Sequence, residues 1–192
     1  DIITATAGTS NVRVGVNAGN SIASGGNFNT VVGDEAGTAI TTGDNNTLIG
    51  YVAGDAISTS SANTAVGSFA MTSMTDGADN VAVGTSALDV DTKGSHSVAV
   101  GRNALGAQNF TTATDSNNTA VGFEAGKAVT TGLRNTLIGA IAGDAITTAT
   151  NNIALGYSSI SSNTTSSNNV AVGNLALNPF NITTGGDGFN VA

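Results

Sequence analysis

A short phrase ending in glycine recurs along nearly the whole chain, and it constrains the fold more than any other feature. Its typical form is Asn-Thr-Ala-Val-Gly, and its last residue is called the motif glycine below. Motif glycines fall at positions 15, 33, 50, 67, 84, 101, 122, 139, 156 and 173. Seven of the nine spacings are 17 residues, and the other two are 18 and 21. A fixed period of this size is typical of solenoids, in which each repeat is one coil and stacked coils bury a common core.

The residue types within the phrase predict a short strand followed by a turn. Thr, Val or Ile lies three residues before the motif glycine, and Val, Ile or Leu directly before it. Branched side chains at alternate positions favour a strand, and glycine favours a tight turn. Asn lies four residues before the glycine in nine of ten copies, with Ser97 as the exception, and stacked Asn side chains can form a hydrogen-bonded ladder. We therefore predict an all-β parallel β-solenoid of about ten 17-residue coils, with strands of four to six residues and room for two strands in each coil.

The repeat covers the chain as a whole, so we expect residues 1–192 to form one repeat domain. Two coils are longer than the rest, at 101–122 and at 173–192, where residues 189–192 open an eleventh copy. A second-order repeat is also present, because the phrase at 46–50 recurs at 135–139, 89 residues later. The chain begins without Met and ends within a motif, and we expect it to be a segment of a longer fibre.

The position two residues before the motif glycine is apolar and mostly small. Because strand side chains alternate, we expect it on the opposite face from the neighbouring Val and Ile, which we assign to the core. A strand that is apolar on both faces is usually buried on both, so this row predicts contact with other chains in a homotrimer. The alternative is that alanine is tolerated on a solvated face. The alanine row comprises Ala65, Ala82, Ala99, Ala120, Ala154 and Ala171.

Composition argues against several classes of function. The net charge is −8, and the five Lys and Arg residues are scattered, which disfavours binding to nucleic acid or anionic membranes. No apolar run approaches the length of a membrane span, and no cysteine is present for a thiolate metal site. The single histidine, His96, lies in a turn without a catalytic partner set. We predict a protein that is not an enzyme, with no cofactor and no metal site.

Two rows of threonine suggest an alternative function. Eight residues after the motif glycine lies an inner threonine row, and the next residue forms an outer threonine row. A regular Thr array on a flat face resembles the surface of ice-binding proteins, although Thr also suits turns. The inner row contains Thr41, Ser58, Thr130, Thr147 and Thr164, together with Thr75 and Thr92, and the outer row contains Thr42, Thr59, Thr131, Thr148 and Thr165.

The two long coils carry aromatic residues. Insertions in solenoids map to loops that often lie on the binding face, and exposed Phe favours contact with a partner or a sugar ring. The candidate ligand-contacting residues are Phe110, Phe180 and Phe189. A tolerated bulge is the alternative interpretation of each insertion.

Residues 117–126, Asn-Asn-Thr-Ala-Val-Gly-Phe-Glu-Ala-Gly, followed by Thr130-Thr131-Gly132 and a new motif, resemble the repeats of phage tail fibres. They also resemble the left-handed parallel β-roll heads of YadA-type trimeric autotransporter adhesins, and residues 97–101 are the most similar copy. The resemblance extends over 11–192 and slightly favours tail fibres because of the 17-residue step. It implies three chains packed side by side and an extracellular location on a virion or bacterial cell surface. The implied function is a structural, adhesive fibre segment that attaches to a host glycan, receptor or other surface.

Overall fold

The computed structural model describes residues 7–178 and 190–192, and within this part the chain is all-β with no helix. Ten strands of three residues each, one at every motif, form a single parallel sheet. The main-sheet strands are β1 (Val12–Val14), β2 (Thr30–Val32), β3 (Thr47–Ile49), β4 (Thr64–Val66), β5 (Val81–Val83), β7 (Val98–Val100), β9 (Thr119–Val121), β10 (Thr136–Ile138), β11 (Ile153–Leu155) and β12 (Val170–Val172).

Successive motifs pair in register, which confirms the predicted parallel β-solenoid. Thr30 pairs with Thr47, for example, and the strand order in the sheet follows the order in the chain. Ten strands enclose about nine turns, and at about 4.8 Å per strand they extend over about 43 Å. Val191 continues the stack through a parallel bridge to Val170, as expected for an eleventh copy.

The strands are shorter than the predicted four to six residues, because a buried Asn ends each strand on one side and the motif glycine ends it on the other. An Asn side chain turns into the interior before the strand, and the motif glycine that follows has φ between 133° and 142°. A Cβ on Gly33 would meet the backbone carbonyl of Gly50 in the next turn, so only glycine fits where the turns pass this closely. The period leaves room for two strands in each coil, but within residues 7–178 and 190–192 a second pair, β6 (Gly94–Ser95) with β8 (Thr114–Asp115), forms only beside the first long coil.

Three corners of each turn use left-handed backbone, and two of them do so at residues other than glycine throughout, while the third holds glycine in some turns and a larger residue in others. Glu35 has φ 55°, Met71 has φ 57° and Asn45 has φ 59°, and the equivalent residues of other turns behave alike. Such conformations are uncommon and cost roughly 1–2 kcal/mol each. Each of these three N–H groups donates to a carbonyl of an adjacent turn, to Val16, Ala87 and Asn27 respectively. The stack therefore holds the corners in place, whatever the residue type.

The alanine row lies inside the solenoid, so the prediction that it forms a chain–chain contact is wrong. Ala65, Ala82, Ala99, Ala120, Ala154 and Ala171 are fully buried within a single chain. A three-residue strand alternates outward, inward and outward, and here the middle residue points inward. The flanking Val and Ile residues, which the sequence suggested were the core, point outward.

Two inward positions exchange volume along the stack. Where the middle residue of the strand is Leu, as at Leu48, the residue six positions later is Gly54, and an added Cβ there would lie 2.6 Å from Leu48 Cδ2. Where the middle residue is Ala65, the later residue is the fully buried Met71. The same exchange links Leu137 with Gly143, Ala82 with Leu88, Ala99 with Leu105 and Ala154 with Ile160. The turn with Ala120 and Gly126 is the exception, and there Leu137 and Leu105 of the adjacent turns lie nearest to Gly126. In the other turns the exchange keeps the volume of the interior more nearly constant.

The predicted asparagine ladder is present and buried. Asn46 Nδ2 donates to Asn29 Oδ1 (3.0 Å) and to the Ser60 carbonyl (3.0 Å), while Asn46 Oδ1 accepts from the Asn63 N–H (3.0 Å). Each rung thus satisfies polar groups of the turn before and the turn after. These bonds run parallel to the solenoid axis, as do those of the main sheet.

Candidate interaction surface

The outer side of the main sheet is an apolar, uncharged surface. We define the strand face as the first and third residues of the ten main-sheet strands. Fifteen of these twenty residues are Val, Ile or Leu and five are Thr. None of the thirteen Asp and Glu or five Lys and Arg residues of the chain lies on it. The strand face thus differs from an ordinary solvated sheet surface, where charged side chains are frequent.

Many side chains on the strand face are open to solvent in the single chain. The remaining members are half-buried. The most exposed members are Val12, Val14, Ile49, Ile138, Ile153, Leu155 and Val172. A contiguous apolar surface of this extent marks an interaction site more often than a free surface.

An aromatic corner adjoins the strand face. It consists of the residues one and two positions after the motif glycines and includes Tyr51, Phe69, Phe123 and Tyr157, all exposed. The rings of Tyr51 and Phe69 meet edge to face with centroids 5.3 Å apart. The guanidinium carbon of Arg102 lies 5.4 Å from the Phe123 ring centroid, a cation–π distance.

Phe110 does not contact solvent as a ligand-binding residue would, and the prediction for it is wrong. Its side chain is only 6% exposed and lies against Gly94. Its N–H donates to Asp91 Oδ1 (3.0 Å), and its carbonyl accepts from Thr92 Oγ1 (2.7 Å). The insertion of the first long coil therefore folds back over the core. Phe180 and Phe189 lie outside the described residues.

A buried polar network explains the exceptions to the repeat in this coil. Asp91 and Gln108 occupy, in successive turns, the inward position that holds Ile57, Met74 or Val129 in others. Gln108 Nε2 donates to Asp91 Oδ2 (2.6 Å). Gln108 also donates to Ser97 Oγ (3.0 Å) and accepts from Asn118 Nδ2 (2.8 Å). Ser97, which interrupts the asparagine ladder, is thus bridged to the next rung by Gln108. The network anchors the insertion and presents no open site.

The threonine rows differ in how their hydroxyls are used. In the inner row, Thr130 Oγ1 donates to the Thr147 carbonyl (3.2 Å) and Thr147 Oγ1 to the Thr164 carbonyl (2.9 Å). Thr41 Oγ1 likewise donates to the Ser58 carbonyl (3.3 Å). The outer row is exposed at Thr42, Thr59, Thr131 and Thr148 and half-buried at Thr165. Of the two rows, the outer one presents the more exposed hydroxyls to a ligand.

Two equivalent carboxylate sites differ in one residue. Burial, and then the nearby Glu35, raise the pKa of Asp55 above its ordinary value. At the equivalent place 89 residues later, burial likewise raises the pKa of Asp144, but Lys127 opposes the rise. Lys127 Nζ lies 2.7 Å from Glu124 Oε2 and 3.8 Å from Asp144 Oδ2. The first site has Thr38 where the second has Lys127.

His96 lies between two carboxylates on the surface. Its Nδ1 is 3.2 Å from Asp115 Oδ1, and its Nε2 is 3.8 Å from Asp79 Oδ2. The two carboxylates lie on opposite edges of the ring, so they cannot share one ion with it. Throughout residues 7–178 and 190–192, no three His, Asp or Glu side chains converge as metal ligands would. Nor does this part of the chain contain a helix able to cross a membrane.

Sequence reasoning missed the strand face and the aromatic corner. The exchange of volume between the middle strand residue and the residue six positions later could have located the interior, because only residues that share a cavity need to compensate one another. Comparison of the chain with protein-family models, with curated proteins and with solved structures gave no match.

Proposed function

We propose that the chain is a segment of a rigid structural and adhesive fibre that holds or presents a surface for attachment to a host or other target. The observation that carries this proposal is the unbroken in-register stack of ten strands, supported inside by the asparagine ladder. Such a stack extends without bending hinges and gains length one turn at a time. The resemblance to phage tail fibres and bacterial surface adhesins supports the same role and suggests an extracellular location on a virion or cell surface.

The distribution of side chains supports an assembly of several chains, and we propose a homotrimer. The apolar strand face lies on one side, whereas Thr, Asn, Asp and Lys dominate the corner near the outer threonine row. A rod with one apolar side and polar remaining sides is suited to a bundle whose outside is solvated.

Ice binding through the threonine rows is the alternative proposal. The exposed hydroxyls of the outer row favour it. Asp76 and Lys93 interrupt that row, however, and the inner row donates hydroxyls to backbone carbonyls of the next turn. These features leave the fibre role as the better-supported function.

Two measurements on the full chain test the fibre proposal. Small-angle scattering should show a rod, and the solution should show no thermal hysteresis. Thermal hysteresis that disappears in the variant Thr131→Lys/Thr148→Lys would overturn the fibre role in favour of ice binding. A glycan array and a cell-binding assay test adhesion, and blank results in both would leave only a spacer role.

A further inference from the structure

We propose that the strand face is the surface through which copies of this chain associate side by side, parallel and in register. The inference rests on the proposed function, because a bundled fibre needs a contact between chains. It replaces the alanine row, which the structure places in the interior.

The charge pattern favours self-association through this side. A chain of net charge −8 repels its copies, so association needs a surface from which charge is absent. The strand face contains no charged residue over ten consecutive strands. Ile49 and Ile138, at equivalent places 89 residues apart, both point outward there and are 37% exposed.

The periodicity of the face favours a second copy over an unrelated partner. Its side chains repeat at every strand, about 4.8 Å apart, over the length of the sheet. A partner that covers the whole face must carry matching features at the same spacing. A second copy of this chain has the same spacing, because its strands are stacked in the same way.

The area is adequate for a stable contact. The sheet is about 43 Å long, and a three-residue strand with two corner residues is about 16 Å wide. These dimensions give roughly 700 Å² on each chain, close to the ~800 Å² per partner of a standard protein interface. The aromatic corner continues the surface, and Tyr51 and Phe69 are of the residue types enriched at interfaces.

Light scattering on paired variants tests the proposal. Ile49→Glu/Ile138→Glu places two carboxylates on the strand face, and Thr59→Glu/Thr148→Glu places two at the exposed outer threonine row. We expect wild type and the threonine variant to have a mass of at least twice the 18.6 kDa of one chain. The isoleucine variant should fall to 18.6 kDa, with a circular dichroism spectrum that still reports β structure.

Cross-linking gives a second test that does not depend on a destabilising charge. The chain has no cysteine, so Ile138→Cys and Thr148→Cys each introduce a single thiol. A short bismaleimide should join the Ile138→Cys chains into covalent dimers and leave Thr148→Cys largely as single chains.

Three results would overturn the proposal. A wild-type mass of 18.6 kDa would exclude self-association through any surface. The fibre role would still be tested separately, by small-angle scattering and thermal hysteresis. An isoleucine variant that keeps the wild-type mass would show that copies meet elsewhere, with the fibre proposal intact. Cross-linking at Thr148→Cys but not at Ile138→Cys would place the contact on the opposite, polar side.

Discussion

At the scale of single residues, the asparagine ladder contributes more than its side-chain bonds. Most rungs accept from the N–H of the next rung and donate to a carbonyl in the corner of the next turn. Asn46 Oδ1, for example, accepts from the Asn63 N–H, and Asn46 Nδ2 donates to the Ser60 carbonyl. Buried backbone groups at the corner are thus satisfied by side chains where the sheet pattern stops. A missing rung would leave them without partners in a dry interior.

Asn46→Ala is therefore expected to destabilise the chain by about 2–4 kcal/mol, since it leaves at least two buried polar groups unpaired. The free energy of unfolding from urea titration measures this loss. The adjacent Asn45→Gly is the control, because Asn45 is exposed and its φ of 59° suits glycine. Similar midpoints for the two variants would contradict a structural role of the ladder.

Thr38→Lys should stabilise the fold at neutral pH by about 0.5 kcal/mol, the order typical of a partly exposed ion pair. It copies the Lys127 arrangement beside Glu35 and Asp55. Burial raises the folded-state pKa of Asp55, so its favourable contribution exists at acid pH and is lost as the pH rises through that pKa. An ammonium group nearby favours the ionised carboxylate, and the gain should appear only above that range.

Melting temperatures of wild type and Thr38→Lys at pH 7 and pH 3 measure this effect. The difference should be positive at pH 7 and small at pH 3. Lys127→Thr is the reciprocal variant and should lose stability at pH 7. A gain from Thr38→Lys that is equal at both pH values would exclude the electrostatic explanation.

At the scale of one turn, the exchange between the middle strand residue and the residue six positions later governs packing. Leu48 fills the space above Gly54, and Met71 fills the space that Ala65 leaves. The left-handed corner accepts either residue, because Gly54 and Met71 have φ values of 58° and 57°. Side-chain volume, more than backbone conformation, therefore decides which residue can occupy the corner.

A double-mutant cycle at this pair should show strong coupling. Leu48→Ala alone should cost about 2–5 kcal/mol through the cavity that it leaves. Gly54→Met alone should also destabilise, because its side chain would overlap Leu48. The double variant copies Ala65 with Met71, and we expect it to recover at least about 2 kcal/mol relative to the sum. Additive costs in chemical denaturation would contradict the exchange.

Much of the turn follows from the sequence because its signals repeat. The 17-residue step, the asparagine column and the motif glycine predicted the parallel stack, the ladder and the tight corner, and all three are present. The inward face was mistaken because Val66 and Ala65 are both apolar, and a three-residue strand offers too few residues to separate the two faces by polarity. Phe110 was mistaken because Asp91, which accepts hydrogen bonds from the Phe110 N–H and from Gln108, lies in the preceding turn, and the repeat does not mark it as a partner of the insertion.

At the scale of the whole molecule, the turn is the unit that can be removed. Deletion of 51–67 joins Gly50 to Ser68, which occupies the place of Tyr51 in the next turn. Every inward column stays inward, so the fold should persist with a rod about 4.8 Å shorter. Deletion of 51–58 is the control, because it leaves one turn with nine residues, too few to enclose the core, and should interrupt the stack at that turn.

Circular dichroism and small-angle scattering distinguish the two deletions. The full-turn deletion should keep the β spectrum and lose modest stability, as expected when one of many nearest-neighbour contacts is removed. Equal loss of structure in both deletions would show that particular turns, not the repeat, determine the fold.

The direction of the hydrogen bonds has a mechanical consequence. In the main sheet and in the asparagine ladder they point along the solenoid axis, from one turn to the next. Tension applied to the two ends of one chain would load these bonds in series, so turns would peel away one after another at low force. Compression would press the same turns together and meet high resistance. A single chain therefore resists compression better than tension, and it could carry tension only where lateral contacts with neighbouring chains share the load.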